Sequence, residues 1–218
     1  MTSLLQDPIH SNDAVTGTGA IVSGRDNAIS PAMPLIDPPV KPLTDGVVLL
    51  RPFTLDDVAS VTNACQDPGI HRWTLTLPWP YREHHARDWI ATHEENRAQG
   101  TSGQFAVVDA ADDRLLGSLG FDQFDWEISK AIVGYWVAAP ERNRGVATRA
   151  LLLGTTWALE ELGLSELQLM TLIGNIASER VAQKAAFVMI AEITDHRIAT
   201  VPDQRFHIKK WKRSARPA

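Results

Sequence analysis

The chain has 218 residues, 44% of them hydrophobic and 22% charged, with a formal net charge of −5. A chain of this length makes one large domain or two small ones and buries roughly 70% of its unfolded surface, and the ordinary apolar share excludes collagen, coiled coil and wholesale disorder. With 21 basic residues against 26 acidic ones there is no broad positive field, which excludes nucleic acid as the main partner.

Cys65 is the single cysteine, so no intramolecular disulfide and no cysteine-based metal site can form. The longest apolar stretch, 150–159, is interrupted by Gly154, Thr155 and Thr156 and falls short of the ~18 residues of a membrane span. Residues 1–5 carry no basic group and lead into no apolar block, unlike a signal peptide. The expectation is a cytoplasmic protein without a metal.

Residues 1–44 hold six of the 13 prolines and show no sustained period of 2 or 3.6. That predicts a disordered or loosely draped arm ahead of a folded domain at 45–218. The pattern at 47–53 predicts a strand, and Thr54-Leu55-Asp56-Asp57 a capped, acidic start to a helix reaching about 64. A loop rich in proline and aromatics follows (Trp73, Pro78, Trp79, Pro80, Tyr81), then a helix over 83–99 with Ala86, Trp89, Ile90 and His93 on one face. Segments 104–109 and 114–121 read as a hairpin turning at Ala111-Asp112-Asp113, and 131–138 as the third strand of the meander. Periodicity then predicts a long helix over 145–162 that buries Ala147, Ala150, Leu151, Trp157, Ala158 and Leu162 and stops at Gly163. A strand at 166–173, a helix at 176–185 and strands at 187–193 and 205–211 complete a mixed sheet with helices on both faces, class α/β or α+β.

The most informative stretch runs from Gly134-Tyr135-Trp136-Val137 through Pro140-Glu141-Arg142-Asn143-Arg144-Gly145-Val146-Ala147-Thr148. A strand enters a short loop with two arginines and a glycine, and a long helix begins at once. The first amides of a helix have no intrahelical partners and carry partial positive charge, so such a start attracts anions. Gly145 lets a ligand approach the backbone, Ala147 keeps the wall low, and Arg142 and Arg144 add charge. Something bearing phosphate fits.

That order, followed by Asn175-Ile176-Ala177-Ser178-Glu179-Arg180 and closing at Phe187, resembles the GNAT N-acetyltransferases, in particular their RimJ/RimL-like branch. Leu50-Arg51-Pro52-Phe53, Asp56-Asp57, Pro80-Tyr81 with Glu83, Trp89-Ile90 and Leu116-Gly117-Ser118-Leu119-Gly120 fall where that branch has counterparts, so the likeness covers about 47–211. The resemblance implies the GNAT fold, a mixed, mostly antiparallel central sheet with helices on both faces, and acetyl-CoA as acyl donor and co-substrate. It implies a pantetheine arm lying like a strand between the strand ending near Val137 and the one near Leu172, with the diphosphate on the amides of Arg142, Asn143, Arg144, Gly145, Val146, Ala147 and Thr148. Trp136, Val137 and Asn175 join the cofactor-binding set. Val137 also supplies a backbone amide for the oxyanion, and Ser178 the proton for the leaving thiolate.

The bond to be made requires a neutral amine, a donor for the oxyanion and a proton for sulfur; orientation in one cleft adds several kcal/mol. No covalent intermediate is needed, and Cys65 reads as a core residue. Asn175 and Ser178 also suit a plain helix cap, which leaves the acid role of Ser178 open. The branch often carries a Glu two residues before Gly-Tyr-Trp, whereas Ile132 stands there. Candidate bases are then Asp122, Asp125, Glu127, His71, His84 and His85, none preferred over a solvated surface role. At pH 7 about a tenth of an α-amine is neutral but well under a thousandth of a lysine amine. A site without a dedicated base therefore suits an α-amine, of a protein N-terminus or of a small molecule. The segment 73–81 is a candidate acceptor wall, with Trp73 and Trp79 in the core as the alternative.

Two departures remain. Lys184-Ala185-Ala186-Phe187 replaces the usual Lys-x-Gly-Phe, so the chain is expected to avoid positive φ there. The basic run 209–216 reads as a solvated strand end, with an acidic partner or the CoA phosphate as the sharper alternative. A non-catalytic acyl-CoA-binding sensor or scaffold is the rival function, and a homodimer is allowed.

Overall fold

The computed structural model describes residues 34–37, 39–74, 77–195 and 206–215. In chain order these form β1 (Leu43–Thr44), β2 (Val48–Arg51), a 3-10 turn (Leu55–Asp57), α1 (Val58–Cys65), α2 (Pro68–Thr74), α3 (Glu83–Ala91), α4 (His93–Ala98), β3 (Ser102–Asp109), β4 (Leu115–Asp125) and β5 (Lys130–Val137). A second 3-10 turn (Ala139–Glu141) leads to α5 (Val146–Glu160), β6 (Glu166–Leu172), α6 (Ile176–Lys184), β7 (Val188–Asp195) and β8 (Phe206–Ser214). The strands make one sheet in the order β1-β2-β3-β4-β5-β6-β8-β7. Its pairs are antiparallel except β5 with β6.

Strand alternation divides the core in two. On one face Phe105, Leu119, Phe121, Val133, Leu167 and Leu169 pack with Ala150, Leu151, Trp157 and Ala158 of α5 and Ala182 of α6. On the other, Ala106 and Val108 pack with Val58, Val61 and Cys65 of α1 and Ala86 and Ile90 of α3. Burial pushes the Cys65 thiol up to about 12, so it is the inert core residue the sequence suggests.

Several boundaries differ from the sequence reading. The predicted helix over 83–99 breaks at Thr92, whose hydroxyl donates to the Trp89 carbonyl at 2.8 Å and so competes with the helical ladder. α2 forms just ahead of the aromatic loop, where no helix was expected. The folded body also begins before 45: Ile36 is 2% exposed, its amide donates to the Arg97 carbonyl at 3.1 Å, and Leu43–Thr44 pair with β2. Residues 1–33, most of the expected arm, lie outside the described residues, as does Arg205. Nor is 209–215 a solvated end, since β8 sits between β6 and β7. Lys209 pairs with Glu179 at 3.0 Å, and the Arg213 guanidinium donates to Thr155 Oγ1 at 2.6 Å.

The turn after α6 corrects another expectation, because Ala186 does adopt positive φ, at 61°. The Ala186 amide donates to Gln183 O and the Phe187 amide to Ala182 O, closing the helix in a Schellman motif that places its left-handed residue at Ala186. These two bonds, with buried Phe187 beneath them, outweigh the cost of a Cβ in that region, which is about 1 kcal/mol. Ala186→Gly should therefore stabilise the protein by about 1 kcal/mol, read as a raised urea midpoint with unchanged m.

His93 is 8% exposed, wedged between Phe53 and Trp89, and neither ring nitrogen has a hydrogen-bond partner among the described residues. Burial holds its pKa down at about 4, against 6.5 in an unfolded chain. Its neutral form supports the fold fully above pH 6.5. Between 6.5 and 4 the unfolded state takes up the proton first, so stability falls by about 3 kcal/mol as the pH drops through that window. Melts at pH 7 and pH 4.5 should show this loss, and His93→Leu should lessen it.

Candidate functional site

The parallel register of β5 and β6 covers only Lys130–Glu166 through Val133–Leu169, although β5 continues to Val137 and β6 to Leu172. The two strands splay apart beyond that point. On its far side β5 stays paired with β4 as far as Val137 opposite Gly117, and β6 with β8 as far as Leu172 opposite Ile208. The open wedge is therefore bounded by strand edges on both sides.

The direction of the free backbone groups on β5 follows from one hydrogen bond. The Ala138 amide donates to Leu116 O at 2.9 Å, which makes Ala138 and Leu116 a bonded pair of the β4–β5 ladder. Bonded and non-bonded pairs alternate in an antiparallel ladder, so Tyr135 and Val137, opposite Leu119 and Gly117, turn their N–H and C=O groups away from β4 and into the wedge. The Val137 carbonyl accepts from the Arg142 guanidinium at 3.2 Å. The amides of Tyr135 and Val137 have no acceptor among the described residues.

At the mouth of the wedge the chain turns into α5. Gly145, its N-cap, has φ 80°, Asn143 has φ 63°, and no side chain caps the helix. The first bond is Arg149 N–H to Gly145 O at 3.0 Å, which leaves the amides of Val146, Ala147 and Thr148 directed outward at the positive end of the helix dipole. Any residue with a Cβ at Gly145 would be strained at that φ.

The two arginines are not free. Arg142 also pairs with Asp67 at the corner between α1 and α2, and Arg144 with Glu141 at 2.5 Å. Glu141, 7% exposed, holds Arg114 as well. A buried carboxylate between two guanidinium groups fixes the loop's shape. Sequence reading missed its part, for which the signal was one acid in a loop otherwise basic.

Across the wedge, Asn175 caps α6 by accepting the Ser178 amide at 3.2 Å, which bears out the cap reading. Ser178 Oγ lies 2.7 Å from the Tyr135 hydroxyl. Burial pushes the Tyr135 phenol up to about 12, against the Ser178 hydrogen bond that lowers it, so it stays protonated at neutral pH. The sequence quoted Tyr135 without giving it a role. Its β5 parity with Ala131 and Val133, on the α5/α6 face, was the available signal. Trp136 points to the opposite face, half-buried against the α1/α3 core.

That opposite face is open at Gly134. Gly120, directly across from it on β4, is buried, and the Gln104 side chain covers the place a Cβ would take. Gly134 is exposed, and a Cβ on it would meet nothing within 4 Å. Asp122 stands beside them, opposite Ile132, and accepts from Gln104 Nε2 at 3.1 Å. Protein packed behind its carboxyl pushes its pKa up, while bonds from Ser102 and Gln104 pull it down. Its side chain is also open to water, which weakens the upward push.

The other candidate bases are dispersed. Asp125 accepts the Ile128 amide, Glu127 is exposed, and His85 Nδ1 accepts the Arg82 amide at the start of α3 beside His84. His71 stacks on Trp79 at 4.8 Å. Of the aromatic segment, Tyr81 is core at 2% exposure, Trp73 is half-buried under Arg72, and Trp79, 51% exposed, lines a cleft of about 590 Å³ with Thr62, Gln66 and Glu83. Among the described residues no group of three metal-ligating side chains occurs, and no helix is long and apolar enough to cross a membrane.

Residues 48–188, more than half of the chain, match the acetyltransferase (GNAT) domain. The chain belongs to the GNAT acetyltransferase family. "Probable N-acetyltransferase YjcK" of Bacillus subtilis (strain 168) is 28% identical over 102 residues, 46% of this chain and 56% of that protein. The chain thus spans about half the length of this curated relative. RimL, the ribosomal L7/L12 alpha-N-protein acetyltransferase, in complex with coenzyme A superposes with a TM-score of 0.68 at 15% identity, over 80% of this chain and 97% of that one. The spermidine N-acetyltransferase of Vibrio cholerae with CoA and spermine gives 0.66 at 14% identity, over 78% and 96%. At these identities the likeness to both is one of fold.

Proposed function

We propose that the protein transfers an acetyl group from acetyl-CoA to a primary amine, the α-amine of a protein N-terminus or of a small molecule, by direct attack in a ternary complex. The observation that carries this reading is the wedge, with backbone groups of Tyr135 and Val137 turned into it and an uncapped helix start at its mouth. An extended amide-bearing arm suits the first, and a diphosphate the second. In this reading Arg142, Asn143, Arg144, Gly145, Val146, Ala147 and Thr148 hold the diphosphate, the Val137 amide holds the oxyanion, and Ser178 with Tyr135 serves the departing sulfur. Trp136 and Asn175 shape the wedge from either side.

Calorimetry with acetyl-CoA, followed by thiol release on adding N-terminal peptides, polyamines or aminoglycosides and mass spectrometry of the products, tests the proposal. Binding with amine-dependent release supports it; binding without release for any amine supports a non-catalytic acyl-CoA sensor, which Ile132 in place of a carboxylate favours. No heat of binding overturns both.

A further inference from the structure

The α5/α6 face of the wedge is filled by the core and by the Tyr135–Ser178 pair, so an acceptor must approach from the other face, over a floor that is bare at Gly134 and covered by Gln104 at Gly120. The charged groups around that floor are unevenly distributed. On the β4 side stands Asp122, with the neutral Gln104 and Ser102 as its partners. On the β6/β8 side Lys130 and Lys212 share one carboxylate, Glu166, at 3.2 and 3.5 Å. Lys210 lies on the same face opposite Met170 of the open wall; it is half-buried and has no acidic partner among the described residues. Its neighbours Lys209 and Trp211 turn the other way, to Glu179 of α6 and to the core. One side of the floor is negative and the other is net positive.

Resting on the acetyltransferase reading, we propose that the acceptor is a peptide N-terminus with an acidic side chain at its second or third residue: Asp122 receives the α-ammonium and Lys210 the acidic side chain. Lys210 sits two strands from Gly134, farther than the ~10 Å of two ordinary strand spacings because β5 and β6 part between them. A lysine spans part of that distance, which leaves several ångströms between amine and anion. One or two residues of extended chain, at about 3.3 Å each, cover it, whereas the carboxylate of a free amino acid lies too near its own nitrogen. A polyamine would bring positive charge against the lysine side. The proton balance closes. The ammonium gives one proton to the Asp122 carboxylate, N–C forms and C–S breaks, sulfur takes a proton from the Tyr135–Ser178 hydroxyls, the second nitrogen proton restores them, and Asp122 releases its own to water. A carboxylate is a poor match for an amine of pKa 10.4 and a nearer one for 7.7–8.0.

The test is initial-rate kinetics of the full chain at saturating acetyl-CoA with tetrapeptides that differ only in Asp, Ala or Lys at residues two and three, alongside spermidine and free amino acids. The Asp peptide should have the highest kcat/KM, at least tenfold above the Lys peptide. Lys210→Ala should raise KM for the Asp peptide about tenfold, leaving kcat and the Ala peptide unchanged, and Lys210→Glu should reverse the preference. Asp122→Asn should lower kcat for peptides but spare a hydrazide, which is already neutral at pH 7, and Asp122→Asn with Ile132→Glu should recover activity by returning a carboxylate to the facing strand. Preference for spermidine, a Lys peptide or a free amino acid, or indifference to Lys210→Glu, overturns the proposal while leaving acetyl transfer intact. Absence of acetyl-CoA binding or of any thiol release fails the parent reading instead.

Discussion

Tyr135→Phe is expected to lower kcat by about two orders of magnitude while leaving the dissociation constant of acetyl-CoA where it was. The departing sulfur develops negative charge, and a hydroxyl aimed at it acts mainly in the transition state, so its loss appears in kcat. Tyr135 and Ser178 are 2.7 Å apart, on β5 and α6, and a pair linked in this way works as a unit. Ser178→Ala should cost about as much as Tyr135→Phe, and the double variant scarcely more than either. Stability should fall by only about 1 kcal/mol, the usual net value of one hydrogen bond. Stopped-flow thiol release at saturating donor separates these quantities. Unchanged turnover in both single variants would remove the pair from the chemistry.

Gly134→Val should fold as well as the parent and be nearly inactive, with kcat/KM reduced about 100-fold. A Cβ there meets nothing within 4 Å, the residue has no positive φ, and a β-branched side chain suits a strand. The melting temperature should therefore hold or rise slightly. The added carbons would stand at the apex of the wedge, where in the proposed reaction the amine comes within about 3–3.5 Å of the thioester carbon, and misplacement by about 1 Å costs a factor near 100. A melt together with kcat/KM for the best acceptor decides the matter. Full activity in a folded Gly134→Val would move the meeting point of the reactants elsewhere.

The loop and helix start at Gly145 were legible in the sequence because they depend on local order: a strand, two arginines, a glycine at the helix start, then a long amphipathic helix; the splay between β5 and β6 was expected only from the family resemblance. The α6 cap at Asn175 was legible for the same reason. What escaped depends on pairing between distant segments. The place of Asp122 opposite Ile132, the hydroxyl contact between Tyr135 and Ser178, and the Arg142–Asp67 pair across the α1–α2 corner join residues whose sequence separation carries no periodic signal. Ala186 escaped for another reason. Residue preference argued against positive φ, but the two closing hydrogen bonds of the turn and the burial of Phe187 prevailed.

The backbone groups that Tyr135 and Val137 turn into the wedge have a thermodynamic consequence beyond catalysis. Any molecule lying along that edge completes a ladder the polypeptide leaves unfinished, and being held only by the native state, it drags the folding equilibrium toward order. At a concentration 100 times its dissociation constant the gain is about 2.7 kcal/mol, a large share of a typical domain's total of about 5–15 kcal/mol. The lifetime of such a protein in a cell would thus track the supply of that molecule.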